Sequence, residues 1–564
     1  MKRLSPLERA KLPMNDLGNA RRVFEAARAG DGSSEGGADE VRLLWLADAN
    51  GGKGTWVAFD GIRWSADEGP ARALAFAHKA AMAIAEESNA LRQAEADELA
   101  AVFGPRFSRE MAEERCGRLW TWAEKSGDAA KASAMLSQFK ALRDKDVHGG
   151  DDGPFVTQAW SRDFDADPMA YHCANGVLRF FETEPGRWAH RFDAGHRAGD
   201  RFMQVASVAY EAGAVAQAWI DRLEVMHKDP EQRTALQRIY GMTLTALISD
   251  QAFYIFQGKG QDGKSVSNDV ICKAHGMYAR RADPKTFLEG PSQASSGHQS
   301  DIVRLAGDIR LVVADEPKKG STWDGQRIKQ ATGSEMIARG AHATTELSFV
   351  PHWQLIFECN HLPKPPSDDR GFQRRFKLYP WVVQFGVTPG VPDEPVDVVK
   401  KRLLAELPGV LNWMIEGAIQ WLNERVIPQP AAARAATASF WDVSSALGEF
   451  IKQCCDISDP EARWGATALY QAFRDFCIAR GDKEDRIMAQ TSFGRALNDA
   501  QIYAADDHKA KVKVRVGIRL KSEDERGAAP VDTWLPAGSD ADLLDGDASD
   551  PLGGDLDPFG PAER

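Results

Sequence analysis

The sequence predicts a multidomain α/β protein: a helical N-terminal region, a P-loop core on a parallel sheet, a C-terminal winged helix and a disordered acidic tail. Three observations carry this expectation. Short apolar runs between positions 251 and 385 (QAFYIFQG, IRLVVADE, HWQLIFEC, RFKLYPW) alternate with helical or polar stretches, as buried parallel strands do. A glycine-rich loop, GKGQDGKS (258–265), lies between one such run and a helical one. After position 520 there are 12 acidic and 3 basic residues, so the tail holds −9 of the net −12 and the first 520 residues only −3.

In chain order, residues 1–150 are expected to form a mainly helical domain. Asn15 and Asp16 are candidate helix caps, Gly30 a candidate stop, and VRLLWLA with TWVAFDGIRW a short hairpin set. The Ala-rich stretch 69–145 has helical spacing with few breakers. HGGDDGP (148–154) reads as a boundary to an α+β domain over 151–235, with Asn175-Gly176 as a hairpin turn in AYHCANGVLRFF. The core spans 236–400 and includes a Pro-rich linker, GVTPGVPDEPVD. A helix and a second linker, IPQPAAARAATA, fill 401–438, a small unit occupies 439–520, and 521–564 is Gly/Pro/Asp-rich.

Composition narrows the class. The 564 residues allow several cores, and the near-neutral body leaves nucleic acid open as a partner, because binding depends on where positive charge clusters. Seven cysteines without CxxC spacing point to reduced thiols in a cytoplasm rather than disulfides or zinc. No apolar run approaches the roughly 18 residues a membrane span needs.

The sharpest chemistry lies at GKGQDGKS, which fits G-x-x-x-x-G-K-[ST] between the strand-like Ala252–Gln257 and the helix-like Ser265–His275. Backbone N–H groups from Gly258, Lys259, Gly260, Gln261, Asp262 and Gly263 turn toward phosphate oxygens at a helix N-terminus. Lys264 contacts the β/γ-phosphates and Ser265 ligates Mg²⁺. LVVADE (311–316) supplies Asp315 for the metal and Glu316 to polarise the attacking water. Asn360, at the tip of Trp353–Cys359, orients that water or simply forms a turn. Arg370, Arg374 and Arg375 precede the next strand; one is a candidate to reach a neighbouring subunit's γ-phosphate, and at least one reads as a solvated surface group. The acids of DFDADP (163–168) read as a solvated turn.

With these elements in order, the sequence resembles superfamily 3 helicases of the AAA+ class, and more closely the ATPase half of the phage/plasmid and poxvirus primase–helicase family. The pieces that carry the resemblance are GKGQDGKS, LVVADEP, IKQATGSEMIAR, QLIFECNHLP and GFQRRFKLYPW, with Lys329, Thr332, Gly333, Arg339, Asn360, Pro363, Arg374 and Arg375 at family positions. Upstream, LGNARRVF, FDGIRW, DFDADP and ANGVLRF look like the family's domain before the ATPase. The resemblance implies an ATP- and Mg²⁺-dependent ring, usually a homo-hexamer, that moves 3′→5′ on single-stranded DNA and unwinds forked DNA in phage, plasmid or mobile-element replication within a bacterial host cytoplasm. Lys264, Ser265, Asp315, Glu316 and Asn360 would act in cis, and Arg374 or Arg375 in trans. ARGAHATTELSF (338–349) would be a channel hairpin with Arg339 and His342 as DNA contacts. Primer synthesis would fall to a separate primase, since this chain shows no zinc-ligand cluster or strand-borne pair of catalytic carboxylates.

The 439–520 unit reads as a winged helix, which also closes many members of that family. Ser492–Ala500 would present Arg495, and KAKVKVRVGIRL alternates so that Lys509, Lys511, Lys513 and Arg515 share one face toward phosphates. The same face also fits a solvated, lysine-guarded edge strand. The functional alternatives are a replication initiator or loader with little unwinding of its own, and a nucleotide switch in a non-replicative assembly.

Overall fold

The computed structural model describes residues 3–28, 40–148, 153–248, 251–290, 300–333, 335–338, 347–366, 369–444, 446–482, 484, 487–500, 502–507 and 512–522. The chain forms two compact units, Met1–Ser445 and Ala446–Arg564.

The first unit begins with helices. Asp16–Ala27 is capped by Asn15, whose side chain accepts from the Gly18 N–H; Gly30, the expected stop, lies outside the described residues. Alanines 73, 77 and 80 of the long helix Gly69–Gln93 meet Ala20, Val23, Met135 and Phe139, so small side chains let the helices approach closely. A buried ion pair, Arg22–Glu87 at 2.7 Å, adds a polar tie. Beside these helices run β1 (Leu43–Leu46), β2 (Thr55–Phe59) and β3 (Trp64–Ser65), with β1 and β2 antiparallel as expected. The strand β4 (Gln158–Ala159) pairs parallel with β1, so pairing crosses the stretch 148–154 that the sequence marks as a boundary.

An antiparallel sheet follows: β5 (Ala170–Cys173), β6 (Gly176–Glu184) and β7 (Arg187–Ala194). Cys173 pairs with Gly176, which makes the turn Ala174-Asn175, one residue earlier than expected. Gly176 lies in the ladder itself, where a Cβ would stand 2.3 Å from the Asp193 carbonyl oxygen.

The core sheet joins β8 (Phe253–Gly258), β9 (Ala279–Ala282), β10 (Leu311–Ala314), β13 (Gln354–Cys359) and β14 (Phe376–Trp381), after β11 (Met336–Ala338) and β12 (Leu347–Phe349) form a separate antiparallel pair. All core pairings are parallel and the order is β14-β8-β13-β10-β9. Alternation assigns the faces. Tyr254, Phe256, Val313 and Ile356 join one core with Val270 and Ile271 of the helix Lys264–His275. Phe253, Ile255, Val312, Leu355 and Phe357 join another with Trp323 and Phe372.

Helices from both ends of the core sequence pack together, Pro230–Met242 against Leu407–Glu424. A Cβ on Gly241 would lie 2.3 Å from the Ala418 nitrogen. The expected 427–438 linker is a correction: Ala431–Ser444 is a helix, and Phe440 stacks on Phe376 at 4.6 Å.

The second unit runs from the helix Ala446–Cys454 through β15 (Cys455–Asp456) and β16 (Arg463–Gly465) to the helices Ala466–Ala479 and Gln490–Asp499. The strands β17 (Ala504–Asp507), β18 (Val512–Val516) and β19 (Arg519–Leu520) close it. Its core gathers Phe450, Leu469, Phe473, Phe493, Leu497 and Ile518. β18 is the middle strand of the sheet β16-β18-β17, not an edge.

Candidate nucleotide-binding site

The glycine-rich loop leaves the C-terminal end of β8 and enters the helix Lys264–His275, with Gly263 at its N-cap in left-handed conformation, φ 84°. Any side chain there would be strained, and its Cβ would lie 2.5 Å from the Met226 sulfur. At Gly258 a Cβ would fall 1.7 Å from Asp262 Oδ2, so the Asp262 carboxylate keeps its place only beside a glycine. That Asp262 carboxylate is itself informative. It lies buried in the loop and accepts from the Gly260 N–H at 3.2 Å, the Lys264 N–H at 3.3 Å and Lys264 Nζ at 2.7 Å. The loop's donors therefore converge on an oxyanion, the chemistry of a phosphate oxygen.

Lys264 Nζ also donates to Asn360 Oδ1 at 2.7 Å. Asn360 Nδ2 in turn donates to Glu316 Oε2 at 2.7 Å, and its N–H to Glu316 Oε1 at 3.3 Å. Three residues expected at the site thus form one hydrogen-bonded chain from the loop to an exposed carboxylate.

The cation side differs from the expectation in one partner. Ser265 Oγ donates to Glu358 Oε2 at 2.5 Å, while Asp315 is exposed and its Oδ1 accepts from Arg281 Nη1 at 3.0 Å. Glu358 was not foreseen. It continues the face of Ile356 beneath the helix Lys264–His275, and its Oε1 accepts from Asn268 Nδ2 and Arg281 Nη1, both at 2.9 Å. Ser265, Glu358 and Asp315 carry hard oxygen atoms, the type of donor that suits Mg²⁺. The signal for Glu358 was present: an acid at an apolar-face position of the strand that ends in Asn360.

A cavity of about 510 Å³ opens beside the loop, lined by Gly260–Val266 together with Arg222, Glu316, Glu358, Asn360, Phe385 and Glu394. The segment after β14 is part of this wall, and with Glu394 so is the expected linker 386–397. The Phe385 N–H donates to the Gln261 carbonyl at 2.7 Å, and Gln384 Nε2 to the Gly260 carbonyl at 3.0 Å. The Arg222 guanidinium sits 4.1 Å from the Phe385 ring centroid. Lys259 is exposed at the rim.

The paired arginines part company. Arg374 is exposed, with Nη2 bonded to Gln251 Oε1 at 2.8 Å. Arg375 turns inward to Thr332 Oγ1 at 3.1 Å, the Gly371 carbonyl at 2.8 Å and Gln251 at 2.8 Å, and burial, then the neighbouring Arg374, lower its pKa. Arg375 as a trans-acting group is therefore corrected to an internal brace. Arg515, expected on the basic face, is a second correction. As part of a middle strand it is buried against the helix Gln490–Asp499, donating to Asn498 Oδ1 at 2.5 Å and to the Gly494 and Ile502 carbonyls. Arg495 and Lys513 are exposed. Arg339, His342, Lys509 and Lys511 lie outside the described residues. The acids of DFDADP are not all solvated: Asp165 is half-buried and accepts from the Met203 and Gln204 N–H groups. Among the described residues no metal-ligating cluster of His, Cys, Asp and Glu occurs, every cysteine is free, and no helix is long and apolar enough to cross a membrane.

Comparisons with known proteins match this chain to viral sequences. It is 27% identical over 245 residues to "Putative helicase 022R" of Frog virus 3 (isolate Goorha), covering 41% of this chain and 25% of that protein. It is 28% identical over 163 residues to "Putative helicase L207/L206" of Acanthamoeba polyphaga mimivirus, covering 29% of this chain and 17% of that protein. The matches thus span a quarter or less of these relatives' length. A solved structure, the A form apo structure of the NrS-1 C terminal region, is similar with a TM-score of 0.36 and 12% identity, over 66% of this chain and 88% of that one. Residues 47–236, which include Arg222 and Met226 beside the glycine-rich loop, match the family model described as D5 N terminal like. Over that segment the chain is similar to the D5 N terminal like family.

Proposed function

We propose that this chain is an ATP-dependent DNA helicase of the superfamily 3 type, acting as a homo-hexameric ring in phage, plasmid or mobile-element replication. The observation that carries the reading is the link from Lys264 through Asn360 to Glu316, anchored in a loop whose donors converge on an oxyanion. The relatives' printed names, viral helicases, support the same reading.

In this reading phosphate oxygens of ATP take the donors that Asp262 holds, and Lys264 stays on the β/γ-phosphates. Asn360 aims Glu316, which accepts a proton from the attacking water. Ser265, with Asp315 and Glu358 nearby, would hold Mg²⁺, which would supply positive charge to offset that of the phosphates. Arg374, exposed beside Gln251, is the arginine offered to a neighbouring subunit. Arg222 and Phe385 wall the cavity where the rest of the nucleotide lies. In the second unit, the helix Gln490–Asp499 with Arg495, followed by the β17–β18 hairpin with Lys513, fits a winged helix on DNA phosphates. Lys509 and Lys511 fall in sequence between those strands, as Arg339 and His342 fall between β11 and β12.

The test is ATP hydrolysis with and without single-stranded DNA, alongside unwinding of a tailed duplex, for the wild type and Lys264→Ala. Stimulation by single strands and unwinding that depends on Lys264 are expected. Hydrolysis indifferent to DNA with no strand separation rejects the motor in favour of a loader or switch.

A further inference from the structure

Ser265 and Glu358 come from different elements, yet the Ser265 hydroxyl is committed to that carboxylate. A hydroxyl has one proton and two lone pairs. With the proton given to Glu358 Oε2, the lone pairs face away from Glu358, and Ser265 lines the cavity. The carboxylate cannot swing, because its other oxygen is held by Asn268 and Arg281, each at 2.9 Å. Asn268, one turn after Ser265 on the same helix, is itself fixed by the Tyr240 hydroxyl at 2.8 Å, and both residues are fully buried. Tyr240, Asn268, Glu358 and Ser265 thus form a locked chain that ends on a hydroxyl at the cavity. Asp315 has no such lock: it is exposed and meets the same Arg281 nitrogen at 3.0 Å.

We infer that Glu358 is the positioning residue for the cation that accompanies the nucleotide: it orients the Ser265 oxygen as a ligand, and Asp315 does not. The inference rests on the nucleotide reading above. Burying a carboxylate is costly unless it is fully paired. Here the pairing runs through a hydroxyl whose oxygen remains open to the cavity, so the arrangement makes a ligand as well as satisfying a charge. Arg281 lies between the two acids as their shared cationic partner, and Asp269 and Lys400 extend the same alternation of charge beyond it.

The experiment titrates Mg²⁺ against the full chain while following binding of a fluorescent, slowly hydrolysed ATP analogue, with EDTA as the metal-free reference. Glu358→Gln should keep its EDTA affinity within about twofold and raise the half-saturating Mg²⁺ about tenfold or more, the scale of losing an outer-sphere ligand partner. Asp315→Asn should shift it less. A wild-type Mg²⁺ dependence in Glu358→Gln, with the loss carried by Asp315→Asn, overturns the inference and leaves the nucleotide reading standing. A wild type that binds no analogue in either condition overturns both. Should Glu358→Gln not fold, Asn268→Ala releases the same carboxylate without touching Ser265. It should raise the half-saturating Mg²⁺ about threefold or more, on the same outer-sphere logic, and an unchanged value rejects the inference.

Discussion

Two polar networks of the first unit look alike in composition and differ in what they leave over. Around Arg310, Nε and Nη2 take Asp308 at 2.6 and 2.7 Å, Nη1 takes the Leu244 carbonyl and Nη2 the Ala170 carbonyl, all fully enclosed. Nearby, His275 lies between the Tyr171 hydroxyl at 2.9 Å and Thr243 Oγ1 at 2.7 Å, and burial, then Arg310, hold its pKa down to about 3. This network ties the segment carrying β5 to the C-terminal end of the helix Lys264–His275. Around Lys264, the partners belong to the loop and to the tip of β13, and the network opens on the 510 Å³ cavity. A buried charge whose partners are all enclosed is architecture. One whose partners can be exchanged for a ligand is a site.

The comparison is broken most sharply by removing each cation. Arg310→Leu leaves Asp308 buried and unpaired and should cost about 3–5 kcal/mol of stability, read by denaturant unfolding. Lys264→Ala should lose ATP turnover by about 100-fold or more with far less loss of stability, because Asp262 and Asn360 can turn to water in the cavity. Equal destabilisation by the two changes erases the distinction.

The paired arginines sharpen it at smaller scale. Arg375→Ala should cost about 1–3 kcal/mol through the bonds it abandons, whereas Arg374→Ala should leave the unfolding midpoint near wild type. Mixed with Lys264→Ala subunits, Arg374→Ala subunits should recover part of the ATPase activity. Recovery with Arg375→Ala and none with Arg374→Ala would reverse the assignment.

The smallest effect concerns Asp165, beside the Arg310 network. Burial, then the charge of Asp308, push its carboxyl up to about 7, against the pull of the Met203 and Gln204 N–H groups. The folded chain therefore keeps a proton that the unfolded chain releases at lower pH. The stability this contributes is full below the ordinary Asp range and is lost as pH rises through about 7. Asp165→Asn keeps an acceptor and suits the left-handed φ of 48°. Its thermal midpoint should exceed wild type by a few degrees at pH 8 and by less at pH 5. A gap that does not change with pH excludes Asp165 as the titrating group.

Much of the site was legible in the chain because its signals are local. The loop, the strand before it and the helix after it are one continuous stretch, so spacing alone places Lys264 and Ser265 at the helix start. Apolar runs ending in Glu316 and Asn360 likewise announce strand tips, where ligands of parallel sheets gather. Contacts between distant segments were not legible. Phe385 reads only as the last residue before a linker until its N–H is seen on Gln261, and the helix Ala431–Ser444 shows its purpose only when Phe440 meets Phe376. Alternation set Arg515 beside Lys513 on one strand face. A side chain's period does not say whether a helix covers that face, and here one covers Arg515.

Residue pattern was thus enough for the parallel core and the glycine-rich loop, and it singled out Lys264, Asn360 and Glu316, which hydrogen bonds join. Strand order was left to the tertiary structure. Crossover connections insert β13 between β8 and β10, so the carboxylate that meets Ser265 is Glu358 from the neighbouring strand rather than Asp315 from the one beyond. Which strands become neighbours is settled by packing helices on both faces of the sheet at once, and no single segment contains that information.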